Sequence, residues 1–152
     1  LKIAFPHLEA CLLDSLKKRV NFLEETFALL KLENITAIHG RAEEFAKNKA
    51  YREQYDLCVS RAVSNLATLS EYCLPYVKVG GNFISYKSGT VQEELQQAEK
   101  AVKILGGKIQ DVVYFNLPDS EIQRSLVVIE KMKSTPGRYP RKAGTPLKEP
   151  LS

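Results

Sequence analysis

Lys108–Met132 reads KIQDVVYFNLPDSEIQRSLVVIEKM: two apolar runs, KIQDVVYFNLP and RSLVVIEKM, with a short polar loop and no helix between them. Strands joined so closely pair antiparallel, because a parallel return needs a crossover of about a dozen residues or more. Upstream the pattern changes. ACLLD (Ala10–Asp14), ITAIH (Ile35–His39), YDLCVSRAV (Tyr55–Val63, a strand and its exit) and NFISYK (Asn82–Lys87) are short runs of strand character, each followed by helical spacing. Leu16, Val20, Leu23, Phe27 and Leu30 form one stripe at intervals of three and four. GRAEEFAK opens a short helix, and SNLATLSEYCLPYV gives another with Leu66, Leu69, Cys73 and Tyr76 inward and Pro75 near its end. Gly80 and Gly81 turn into NFISYK, and Thr90 with Glu93 has the pattern of a capping box for a helix carrying Val91, Leu95, Ala98, Val102 and Leu105. Gly106 and Gly107 stop that helix.

Alternating strands and helices imply a parallel sheet with helices on both faces and ligands outside the carboxyl ends of the strands. The closing antiparallel pair narrows the choice. Plain dinucleotide-binding folds end in a parallel strand, whereas such a hairpin is characteristic of the methyltransferase version of the doubly wound, Rossmann-like fold. Fold alone does not fix chemistry.

Composition sets outer limits. A chain of 152 residues, 44% hydrophobic and 26% charged, has the balance of one globular domain. No apolar run approaches the roughly 18 residues of a membrane helix, and no signal-peptide zones stand at the start, so the expected location is the cytoplasm. Cys11, Cys58 and Cys73 are odd in number and lie outside any C-x-x-C pair. They suggest buried thiols, not disulfides or zinc ligands. His7 and His39 are isolated and imply no metal.

Charge is concentrated at one end. Residues 134–152 carry Arg138, Arg141, Lys142 and Lys148 against Glu149, a net +3 of the chain's +4. Pro136, Pro140, Pro146 and Pro150 favour an extended path there. The expected organisation is a domain over 1–133 and a basic, Pro-rich tail over 134–152. Such a tail is either a solvated terminus or a strap suited to a polyanion.

LLDSLKKRVNFL, HGRAEEFA, YDLCVSRAV, LPYVKVGGNFISYK and above all YPRKAGTP resemble, nearly from end to end, the glucose-inhibited division protein B family, the bacterial ribosomal RNA small subunit methyltransferase G. The resemblance implies transfer of a methyl group from S-adenosylmethionine to N7 of a guanine in the decoding region of 16S ribosomal RNA. The small ribosomal subunit is then the partner, and a monomer without metal or membrane attachment is expected. It implies cofactor contacts at Asp14 and Ser15 for the adenosine ribose, at Ala42 and Glu43 for adenine, and at Arg61. It also brings the tail back near the cofactor cleft, with Arg138, Arg141 and Lys142 on RNA phosphates and Lys87 as a further candidate.

Each of these residues also has a local reading. Asp14 suits the N-cap of a helix from Leu16, and Glu43 with Glu44 suits a helix start. Arg61 could pair with a neighbour such as Glu71, Lys87 could be a solvated lysine, and Tyr139 either stacks on a base or packs in the core. SRAVSN has neither the Asp/Asn-Pro-Pro-aromatic acceptor of exocyclic amine methylation nor a nucleophilic cysteine. Guanine N7 carries an in-plane lone pair, so no catalytic base is named and alignment suffices. An unstacked guanine is required, since N7 lies in the inaccessible deep groove of A-form RNA.

One departure stands out. The family's first strand and its D-x-G-x-G-x-G-x-P turn precede the segment matching LKIAFPHL, and both are absent. That strand belongs at the centre of the sheet, between ACLLD and YDLCV, so two unpaired edges are expected there. The chain is therefore expected to be part of a longer protein and, alone, to bind S-adenosylmethionine poorly. Two rivals are an RNA-binding module that kept the fold without the cofactor, and a nicotinamide-dependent oxidoreductase using the acidic strand end. The hairpin and basic tail argue against the latter.

Overall fold

The computed structural model describes residues 1–61 and 64–151. The expected strand exit at Ala62 and Val63, and Ser152 at the tail's end, lie outside the described residues. Strand β1 (Ala10–Asp14) leads into helix α1 (Lys17–Leu29), strand β2 (Ile35–His39) and the short helix α2 (Ala42–Phe45). Then come β3 (Tyr55–Ser60), α3 (Leu66–Cys73) with a 3-10 turn over Leu74–Tyr76, β4 (Val77–Ser88) and α4 (Gln92–Ile104). The hairpin strands β5 (Gly107–Asn116) and β6 (Gln123–Lys131) and a single turn of helix, α5 (Thr145–Lys148), complete the order.

The strands form two sheets. β1 pairs parallel with β2, Asp14 opposite His39. β3 pairs parallel with β4, which pairs antiparallel with β6, itself antiparallel to β5, giving the order β3-β4-β6-β5. The closing hairpin expected from Lys108–Met132 is thus present, and this is the α/β methyltransferase-like architecture with a mixed sheet. Among the described residues, β1 pairs only with β2 and β3 only with β4, so each keeps one free edge. The Cys11 thiol on β1 lies beside the Tyr55 phenol on β3, which burial and then that thiol push up.

The core lies on one face of the larger sheet. Phe83, Val127 and Ile129 point to it and pack with Leu66, Leu69 and Leu74 from α3 and its 3-10 turn and with Val102 of α4 and its C-cap Leu105. Each large apolar side chain so buried contributes about 1.5–3 kcal/mol. Cross-strand partners Val59 and Ile84, and Leu126 and Val113, share the other face, where Leu57, Val59, Val113 and Phe115 stay exposed. Cys73 is buried in the core beside Cys58, and that neighbour together with burial holds its thiol protonated. Cys11 and Cys58 are half-buried, not buried as expected.

Several boundaries differ from expectation. β4 begins at Val77 and runs through the glycine pair: Tyr55 faces Val77 while Leu57 faces Asn82, so the intervening residues bulge out. Of the α1 stripe only Val20 is buried. Leu16 and Leu30 are exposed because they are the caps of the helix, not part of its packed turns. The capping box does not form: α4 is capped by Val91 without a side-chain bond, one residue beyond Thr90. Asn65 does cap α3, its Oδ1 accepting from the Thr68 amide at 2.8 Å.

Gly106 ends α4 at φ +90°, and a Cβ there would meet the Lys133 carbonyl oxygen at 2.2 Å. Its own carbonyl accepts from Met132 and Lys133. Gly106→Ala in the intact gene product should therefore lower the unfolding free energy in urea by about 1–3 kcal/mol. Gly137→Ala, where nothing lies within 4 Å, should stay within about 0.5 kcal/mol of the parent. Equal effects would remove the steric account.

Candidate active site

Asp14 and the residues after His39 lie at the carboxyl ends of β1 and β2, and the residues after Ser60 at the carboxyl end of β3, the positions at which such sheets bind ligands. Asp14 closes β1. Its Oδ1 accepts from the Leu16 amide at 2.8 Å and its Oδ2 from Arg19 Nη1 at 3.3 Å. The local reading is thus partly realised: Asp14 bridges to the start of α1, whose formal N-cap is Leu16. A carboxylate has about four lone-pair sites, and two remain for a diol such as a ribose edge. Next to it, the Ser15 carbonyl contacts His39 Nε2 at 3.1 Å, which ties the turn after β1 to the end of β2.

Ala42 and Glu43 open α2 just past β2. Among the described residues no acceptor takes their amides, so the donors suited to a purine edge are available. The Glu43 side chain is not: it is 4% exposed, and its Oε1 accepts from the Gly144 amide at 2.8 Å. The Glu43 carboxylate is thus engaged by the tail, and its backbone N–H is the group left to face an adenine edge. Arg61 follows β3 and is exposed. Glu71, its suggested surface partner, is wholly buried and held by Arg141.

Lys87 differs from expectation. Its side chain is 9% exposed and donates to Glu94 Oε1 at 2.6 Å and to the Ser64 carbonyl at 2.8 Å. Glu94 also accepts from the Leu66 amide at 2.6 Å. Lys87 therefore fixes the start of α3 and is neither solvated nor free for a phosphate.

The tail is ordered along its described length. Lys131 is fully buried and donates to the Leu74 carbonyl, to Thr135 Oγ1 and, across 3.2 Å, to Glu53. Arg52 donates to the carbonyls of Ala46, Thr135 and Tyr139. Glu53 and Pro75 precede β3 and β4, so this knot lies at the amino edge of the sheet. From there the tail crosses α3. Arg141 forks onto Glu71, with Nη2 at 2.7 Å and Nε at 3.0 Å, while its amide bonds the same carboxylate at 2.8 Å. That hydrogen bonding holds the guanidinium above its ordinary range. Gly144, at φ +84°, turns the chain into α5, and the Pro146 carbonyl accepts from Thr68 Oγ1 at 2.9 Å.

The expected phosphate-binding set is thereby reordered. Arg141 is committed to Glu71. Tyr139 packs in the core, with Arg138 stacked 5.1 Å over its ring. Because the Tyr139 carbonyl is tied to Arg52, Arg138 sits at the amino edge, about 17 Å along β3 from the Arg61 end at roughly 3.3 Å per residue. Lys142 is exposed between the Arg141 and Gly144 anchors. Sequence reasoning missed Arg52, Glu53, Glu94 and Lys131, whose partners lie far along the chain. Among the described residues no helix is long and apolar enough to cross a membrane, and no group of His, Cys, Asp and Glu could hold a metal ion.

Residues 1–127 match the family described as rRNA small subunit methyltransferase G. A relative of that name from Lachnoclostridium phytofermentans is 56% identical over 151 residues, 99% of this chain and 62% of the relative. The chain thus spans less than two thirds of that relative's length. Two solved structures share the fold at low identity. TYW2 of M. jannaschii, in complex with AdoMet, has a TM-score of 0.57 at 13% identity over 80% of this chain and 57% of its own. An rRNA methylase from Streptococcus thermophilus gives 0.56 at 17%, covering 81% and 73%.

Burial raises the Glu53 carboxyl, but the Thr135 amide and Lys131 outweigh it and hold its pKa below the ordinary 4.5. A depressed carboxyl contributes stability above the unfolded-state value and loses it as pH falls through the folded one. Urea titrations of the intact gene product should show wild type weakening as pH drops below 4.5, and Glu53→Gln weakening less. An unchanged acid slope in Glu53→Gln would rule this contribution out.

Proposed function

The chain belongs to the rRNA small subunit methyltransferase G family, and from that membership we propose that the protein transfers a methyl group from S-adenosylmethionine to N7 of a guanine in the decoding region of 16S ribosomal RNA. The family match carries the reading, and the position of Asp14, the α2 start and Arg61 at the carboxyl ends of their strands supports it.

S-adenosylmethionine supplies an electrophilic methyl group on a sulfonium. The chain's own residues bind and orient. Asp14, with Ser15 beside it, would accept the ribose hydroxyls on its remaining lone pairs, and the Ala42 and Glu43 amides would meet the adenine edge. Arg61 would hold the methionine carboxylate or an RNA phosphate in its fork. No residue removes a proton, because N7 presents its lone pair directly, so the chain's task is to align the two reacting atoms. Of the exposed tail cations Arg138, Lys142 and Lys148, Lys142 is the one held between the Glu71 and Glu43 anchors and so suits an RNA phosphate. The cytoplasm and the small subunit follow as the setting.

The decisive experiment supplies the intact gene product with methyl-labelled S-adenosylmethionine and small-subunit RNA from cells lacking the gene. Label at guanine N7 is expected, and its absence would defeat the reading. For the cofactor side, Asp14→Asn keeps an acceptor for Leu16 but removes the charge, so the calorimetric Kd for S-adenosylmethionine should rise about tenfold. An unchanged Kd would take Asp14 out of the site.

A further inference from the structure

Two carboxylates outside the proposed chemistry, Glu71 on α3 and Glu43 on α2, are almost completely buried, and both are occupied by the tail. Removing a carboxylate from water is costly unless it is paired and hydrogen-bonded. Glu71 meets that condition through the Arg141 fork and amide, while Glu43 is hydrogen-bonded by the Gly144 amide. The anchors lie three residues apart, and Lys142, next to the first, is exposed. A lysine on a free tail loses much rotational freedom on gripping a phosphate, whereas one held at both sides has its backbone already fixed.

We infer that Glu71 and Glu43 are positioning residues: they clamp Arg141–Gly144 across α3 and α2 and thereby hold Lys142 as a fixed phosphate-binding cation, while Arg138, outside the clamped segment and laid over the Tyr139 ring, takes no part. The two helices so bridged are those that follow the Ala42 and Arg61 turns, which brings the cation to the helices leading from the strand ends. This rests on the ribosomal RNA reading above and names residues that orient its substrate.

The test measures RNA affinity and its salt dependence in the intact gene product, using small-subunit RNA from cells lacking the gene. Lys142→Ala should weaken binding about fivefold and flatten the plot of log affinity against log salt by about 0.7–0.9, the share of one phosphate contact. Arg138→Ala should change neither. In a Glu71→Gln/Arg141→Gln background Lys142→Ala should cost almost nothing more, because the cation is no longer held. Arg141→Lys, which loses the fork but keeps a positive charge, should show partial coupling and serves if the double variant folds poorly. An additive effect of Lys142→Ala in both backgrounds would reduce Glu71 to a purely structural role and overturn the inference, as would an Arg138→Ala loss equal to that of Lys142→Ala. Wild-type protein that fails to methylate the RNA would instead defeat the functional reading, and the clamp's purpose with it.

Discussion

Glu71 is wholly buried on a helix buried along almost its entire length, and the Arg141 guanidinium is its salt-bridge partner. Much else depends on this pair. α3 can be covered on its outer side only because the tail brings a cation to that carboxylate, and the tail can lie there only because α3 offers it. Removing one partner of such a pair costs about 3–5 kcal/mol, since the other is left uncompensated. The same crossing carries Gly144 to Glu43 and Pro146 to Thr68. Two separate helices, α2 and α3, are thus joined by a segment whose composition alone suggests a solvated terminus.

The sheet gives the tail two different ends. At the amino edge Lys131, Glu53, Thr135 and Arg52 make a knot that fixes where the tail leaves β6. Burial lowers the Lys131 ammonium pKa, against the raising influence of Glu53, so the knot is held by hydrogen bonds to carbonyls and a hydroxyl as much as by charge. At the carboxyl edge Lys87 and Glu94 do the comparable work for the start of α3. Cations that look equivalent in the sequence therefore divide by position. Arg52, Lys131, Lys87 and Arg141 hold the fold, whereas Arg61 and Lys142 face outward.

How much of this was legible depended on whether the signal was local. Strand and helix alternation, and the hairpin in Lys108–Met132, are properties of short windows, and both sheets and the antiparallel end follow from them. Gly106 as a stop is also local, whereas the Asn65 cap of α3 emerges from the structure. The errors share a cause in context. Thr90 and Glu93 have the spacing of a capping box, but the helix starts one residue later and Glu94 turns to Leu66 and Lys87 instead. The α1 stripe has the right period, yet only Val20 meets enough neighbours to be buried. Glu71 reads as a surface partner for Arg61 and Glu43 as a helix-start or adenine-facing acid, because nothing within several residues reveals that Arg141 and Gly144, 70 and 101 positions away, will cover them. Arg138 and Arg141, only three apart in an extended segment, look alike in the sequence, yet Arg141 is held by the buried Glu71 whereas Arg138 is exposed and lies over the Tyr139 ring.

The chemistry explains why such a rigid arrangement suits the proposed reaction. Where a base must remove a proton, a residue of the right pKa can contribute much of the rate enhancement. Methylation at N7 has no such step, so rate depends on holding a lone pair and a methyl carbon in line within a few tenths of an ångström. A buried salt bridge is a poor source of net stability, and a well-packed apolar pair of similar volume often does as well or better. What Glu71 and Arg141 supply that an apolar pair cannot is direction: a planar fork accepts one geometry, fixing both the path and the twist of the chain through Lys142. For a catalyst whose contribution is orientation, that specificity matters more than the stability it forgoes.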